Sequence, residues 1–245
     1  MLGAAAAAAV LLVPRGGAPA TQAPVGASSD GYAVWARNAD GTPVRWDPCS
    51  PIVIVASEVG SPDGYALEAL TTDLEQAASV LAEASGLDLD VVGSSDEAPG
   101  AGRSTLAAGD RSRWAPILVG WHRPGHGSLP LRDVDRGVAV PVAVGSPGER
   151  VYVTGQIALN PDRTDLVPGF DDRATSWGST VTHELAHVLG LAHVDDPAQL
   201  LHTYPGAGPV VLGGGDRAGL RAVGADLDCL DVPEPVELDV AVPTR

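Results

Sequence analysis

Lysine is absent from this chain: all 15 basic residues are arginine, a skew read here as genomic bias and not as function. Acidic residues number 31, so the formal net charge is −16. A field of that sign repels phosphate backbones and anionic headgroups, which argues against nucleic acid and membrane surfaces as partners. The two cysteines, Cys49 and Cys229, form no C-x-x-C or other metal spacing, which excludes zinc held through sulfur. No apolar run is long enough for a bilayer; residues 2–13 offer 12 positions against the roughly 20 needed. Neither Asn38 nor Asn160 stands in an N-x-S/T sequon. Gly 30 and Pro 21 make about a fifth of the chain, below the roughly 25–30 % of low-complexity disorder. What is present is a 44 % hydrophobic chain of 245 residues, enough for one domain with a real core and a flanking segment.

Residues 1–20 read as a signal-peptide-like segment. The apolar stretch carries six alanines, Ala4 to Ala9, and Ala18-Pro19-Ala20 offers a small-x-small cleavage pattern. No Lys or Arg precedes the stretch; a start further upstream would supply one and could also lengthen the run into a membrane anchor. The expected location is therefore secreted or extracellular, where two cysteines usually pair. A Cys49–Cys229 bridge is expected, with two buried free thiols as the alternative.

Residues 21–41 are rich in Gly, Ala, Pro, Ser and Thr and read as a linker, with Tyr32 and Trp35 its first anchoring side chains. The domain is expected over 42–232, followed by an irregular tail over 233–245. Strands are expected at 51–55, 87–92, 117–121, 137–144 and 151–159. Helices are expected at 66–84, at 173–189 closed by Gly190, and at 216–223 with Asp216 as N-cap. The order of elements suggests an α+β or α/β sandwich.

The chemistry lies in Thr182-His183-Glu184-Leu185-Ala186-His187-Val188-Leu189-Gly190-Leu191-Ala192-His193. His183 and His187 are i and i+4 on a helix, so both imidazoles leave one face a single turn apart, as one metal ion requires. Glu184 is held beside the metal and is placed to act as general base. Gly190 can adopt positive φ, end the helix sharply and bring His193 round as third ligand. Three imidazoles leave a fourth position open, the mark of a catalytic zinc site.

This stretch resembles the metzincin metalloproteases, matching H-E-x-x-H-x-x-G-x-x-H at every fixed place. More narrowly it is similar to matrixin-like proteins secreted by actinobacteria. That likeness extends to Val44-Arg45-Trp46-Asp47-Pro48-Cys49, Gly155-Gln156-Ile157-Ala158-Leu159-Asn160 and Gly214-Gly215-Asp216-Arg217-Ala218-Gly219-Leu220. The resemblance implies an α+β, zincin-like fold. Its twisted five-stranded mixed sheet would have one antiparallel edge strand, an active-site helix and a small C-terminal subdomain. It implies one catalytic Zn²⁺ and a polypeptide substrate lying along the edge strand, here 137–144. The family's methionine turn under the metal falls at Leu201, with Gly190 the other turn residue. Leucine roughly preserves the volume, at a cost under about 1.5 kcal/mol.

Other residues carry weaker readings. Tyr204 is a candidate for the oxyanion or the pocket wall, and Asp195 and Asp196 for partners of the histidines. His202 reads as a loop residue, and His122 and His126 as flanks of a turn or holders of a second zinc. Asp162, Asp165, Asp171 and Asp172 match no calcium loop, so calcium is unsupported. The leading expectation is a monomeric, secreted zinc endopeptidase with Glu184 as base. The alternatives are a degenerate binding or scaffold module that keeps structural zinc, and a zinc hydrolase acting on something other than polypeptide.

Overall fold

The computed structural model describes residues 10–11, 31–126, 129–170, 175–202 and 212–238. Most of the expected signal-like segment, and residues 21–30 of the expected linker, lie outside them. The strands are β1 (Val10–Leu11), β2 (Ala33–Val34), β3 (Ile52–Ser57), β4 (Leu89–Ser95), β5 (Leu106–Ala107), β6 (Asp110–Trp114), β7 (Ile117–Trp121), β8 (Gly137–Val144), β9 (Val151–Leu159) and β10 (Leu191–Ala192). The helices are α1 (Leu67–Ser85), α2 (Trp177–Val188) and α3 (Gly214–Ala222).

Five strands form one mixed sheet in the order β8-β9-β7-β3-β4, and β1 pairs with the outer edge of β8 at Ala143 and Val142. β4, β3, β7 and β9 run parallel to one another, and β8 runs antiparallel to β9. The architecture is thus mixed α/β with the expected single antiparallel strand. β9 is buried along its whole length, because side chains on both its faces are covered. Leu70, Leu74, Ala77, Ala78 and Leu81 give α1 an apolar stripe at helical spacing that packs into the core. Gly86 ends that helix with φ 74°, its N–H donating to Ala82 O at 2.7 Å.

Two helix starts differ from expectation. α2 begins at Trp177, because Ser176 caps it and its Oγ accepts from Ser179 N. Residues 171–174 at the expected start lie outside the described residues. α3 begins at Gly214 with Gly213 as N-cap, so Asp216 stands three residues inside and not at the cap. The expected irregular tail has neither helix nor strand over 233–238, yet it is packed. Glu237 accepts from Ser104 Oγ and Thr105 N, and Trp114 Nε1 donates to Pro233 O. Leu230, Val232 and Leu238 cover Val144, Val151 and Val153 on the face of β9 away from α2.

Cys49 and Cys229 form a disulfide, with Cα atoms 5.4 Å apart and a sequence separation of 180. Around it Asp47 accepts from Cys49 N, Ser50 Oγ and Leu230 N, so the carboxylate ties both ends of the crosslinked loop together. Closing so long a loop restricts the unfolded ensemble, by about 5 kcal/mol at most in the entropy model. Reduction, or the Cys49→Ser/Cys229→Ser pair, is expected to cost about 2–5 kcal/mol. Denaturant unfolding with and without reductant checks this, and superimposable curves would contradict it.

Candidate metal centre

α2 is buried on nearly every side, and its residues set the positions of the first two imidazoles. His183 and His187 stand one turn apart, with their Nε2 atoms 3.0 Å from each other. After Leu189 the chain turns at Gly190, whose φ of 114° lies in the region that disfavours a side chain. A Cβ there would sit 3.2 Å from Tyr152 and 3.3 Å from Val44 O. The turn feeds the two residues of β10, and these deliver His193. Its Nε2 lies 3.0 Å from that of His183 and 3.1 Å from that of His187.

Tautomers follow from the other ring nitrogens. His183 Nδ1 donates to Leu200 O at 2.8 Å, and His187 Nδ1 to Leu191 O at 2.8 Å. With the proton on Nδ1, each Nε2 turns a lone pair towards its neighbours. Desolvation, then the neighbouring His193, pulls His183 down to about 3 and His187 well below the ordinary histidine value. The lone pairs of His183 and His187 converge to 3.0 Å, and they repel unless a proton on His193 Nε2 or a cation lies between. Tetrahedral Zn–N bonds of about 2.0–2.1 Å impose N–N separations of about 3.3 Å, so the triangle fits a divalent ion of that size. Imidazole donors suit zinc, copper, iron and nickel alike, so the cluster could hold a metal ion that the donors alone do not select.

Glu184 is 7 % exposed and sits against the edge strand. Its carboxylate accepts from Ala139 N of β8. A Cβ on Gly137 would lie 3.0 Å from Glu184 Cγ, so glycine at that position is what leaves the side chain room. Burial first, then the charge of Asp135, raise Glu184 to about 8 in the metal-free chain. Asp135 is itself gripped by the Arg132 guanidinium through both carboxylate oxygens.

The loop after His193 is held by a residue expected only to cap a helix. Asp216, 2 % exposed, accepts from Leu200 N at 2.6 Å, Leu201 N at 3.2 Å and Gly213 N at 2.8 Å. It therefore fixes the peptide whose carbonyl receives His183 Nδ1–H. Desolvation raises Asp216 despite these bonds. Leu201 is 1 % exposed and lies in the core, and its carbonyl accepts from Val194 N, the residue after His193.

Contacts decide several of the weaker readings. The partners of His183 and His187 are backbone carbonyls, not Asp195 or Asp196. Asp196 caps its own turn through Ala198 N and Gln199 Nε2, and Asp195 is exposed. His122 Nδ1 lies 3.1 Å from Pro99 O, and among the described residues no metal-ligating group of three forms around His122 and His126. His202 is not part of the histidine cluster; it bridges to Val194. Asp162 pairs with Arg123 and Asp165 with Arg163, so neither is arranged as a calcium ligand. Asp171, Asp172 and Tyr204 lie outside the described residues. Sequence reasoning missed Asp216 as a hub and Asp135 as a neighbour of the base. No helix among the described residues is long and apolar enough to cross a membrane. Compared with known proteins, the chain matches no family profile and shows no significant similarity to any curated protein.

Proposed function

We propose that this chain is a secreted zinc endopeptidase of the metzincin type. The observation that carries the reading is a pair: three converging imidazole nitrogens, and on the same helix, next in sequence to the first of these histidines, a buried glutamate that is not one of the three. A structural site has no use for a carboxylate kept in a desolvated slot next to the metal. Zinc held by His183, His187 and His193 would supply a Lewis acid that polarises a carbonyl and acidifies water.

The chain's own residues do the rest. Glu184 takes a proton from the attacking water and hands it to the departing amine. Leu200 O and Leu191 O hold the imidazoles in one tautomer, so their lone pairs stay aimed at the ion. β8 offers an extended peptide a strand to pair with: among the described residues β1 meets its outer edge at Val142 and Ala143, and the Gly137 end, next to Glu184, is the stretch proposed for substrate. Pro141 within β8 suits an edge strand. The disulfide favours an oxidising compartment, in line with export.

The test is hydrolysis of a mixed peptide library by the full-length chain, with products read by mass. Zinc-loaded protein should cut internal bonds, lose activity with a chelator and regain it with added zinc. One zinc bound per chain with no internal cleavage would overturn the peptidase reading in favour of a binding module that keeps its metal.

A further inference from the structure

Residues 31–46 lie largely upstream of the expected domain start, yet they contact the metal centre at four points. α2 ends at Val188, and the last carbonyls of a helix lack partners within it. Val188 O accepts from Trp46 Nε1 at 2.9 Å, and Gly190 O accepts from Trp35 N at 2.7 Å. β2 pairs with β10, Val34 opposite Leu191 and Ala33 opposite Ala192, so it holds extended the two residues that deliver His193. One of these, Leu191, supplies the carbonyl that orients His187. The fourth contact is direct: the Trp35 ring meets the His187 imidazole edge-on, with centroids 5.4 Å apart and planes at 63°.

The other side of this strap is fitted to α3. A Cβ on Gly215 would fall 2.1 Å from Gly31 O, and one on Gly219 would fall 3.0 Å from Tyr32 Cβ and 2.9 Å from Leu191 Cδ2. Two glycines four residues apart face one side of a helix and clear the path along which the strap crosses. It is thereby wedged between α3 and the loop of the third histidine.

We propose that the 31–46 strap is part of the metal centre, with Trp35 as the positioning residue for His187. This rests on the histidine cluster binding a metal ion, and not on the peptidase reading. Without the indole edge the His187 ring has more room to turn about its Nδ1 hydrogen bond, and its lone pair swings off the ion.

Cobalt(II) binding to the full-length protein tests this, because its visible absorption reports ligand geometry and its competition with a chelating dye gives Kd. Trp35→Ala should weaken binding by about 10–100-fold, the usual effect of removing a group that orients a ligand. Trp35→Phe keeps an aromatic edge on the imidazole and should recover most of the affinity and the parent spectrum. Gly219→Ala, which pushes on Tyr32 and Leu191 and leaves Trp35 intact, should weaken binding in the same direction. Val153→Ala, a core deletion on the far face of the sheet, should lower Tm and leave Kd unchanged. Parent-like cobalt binding by Trp35→Ala, or equal weakening by Val153→Ala, would overturn the proposal. A parent that takes up no cobalt would overturn the metal-centre reading and this one with it.

Discussion

Glu184→Gln is expected to lower kcat for peptide hydrolysis by about 10²–10⁴-fold, the range supplied by a general acid–base group, while the chain still binds one zinc ion. Glutamine keeps the shape that fits against Gly137 and loses the site that accepts a proton. The carboxylate is not among the three ligand atoms, so metal uptake should not change. Loss of zinc together with activity would make Glu184 a ligand, and unchanged kcat would remove it from the mechanism. A second readout separates the base from a packing residue. In the metal-free chain burial, then Asp135, hold the carboxyl protonated up to about pH 8, whereas the unfolded chain releases that proton near 4.5. The folded state therefore binds the extra proton between those values, and its stability falls as pH rises through the interval. Glutamine has nothing to titrate. Metal-free Glu184→Gln should melt above the metal-free parent at pH 8 and level with it at pH 4.

The histidine cluster was legible because two simple rules locate it. A helix repeats its face every four residues, and a glycine that can take positive φ stops it where a third ligand needs to return. β8 and β9 were legible to the residue, since both are rich in Val, Ala and other apolar residues and the turn Gly145-Ser146-Pro147-Gly148 lies between them. The 31–46 strap was not, although Trp35 stood out from its surroundings. A two-residue strand has no period to detect, and backbone bonds to Gly190 and Leu191 leave no mark on side-chain identity. Asp216 misled for a different reason. Aspartate is favoured at N-caps, but glycine fills that place at 213, and the acid three residues later serves the loop after His193 as well as the helix start. The β5–β6 hairpin escaped because Asp110-Arg111-Ser112-Arg113 is polar and exposed. The tail escaped because its docking depends on Glu237 finding Ser104 and Thr105, more than a hundred residues away.

Removing the metal should both weaken the fold and make it acid-sensitive. An ion that binds only the folded chain stabilises it by about 4 kcal/mol when present at a thousandfold above its Kd, so stripping at pH 7.5 should lower Tm. The pH dependence then follows from the emptied cluster. His183 in the folded metal-free chain titrates at about 3 and His187 well below 6.5, through desolvation first and their histidine neighbours next. In the unfolded chain both take protons near 6.5. Below that pH the unfolded state binds more protons, and stability falls as the solution is acidified. Glu184 imposes the opposite slope up to about 8. Two histidine protons outweigh one carboxyl proton below about 6.5, and only the carboxyl acts above it, so these three groups give the metal-free chain greatest stability near pH 6.5. In Glu184→Gln the alkaline decline should vanish and the acid decline steepen. With zinc bound the imidazoles are unavailable to protons, and Tm should stay level until acid displaces the ion in one step with the loss of fold. Melting curves of stripped and loaded protein from pH 4 to 8 check every limb, and a stripped chain whose Tm matches the loaded one throughout would show that these imidazoles hold no metal that matters to the fold.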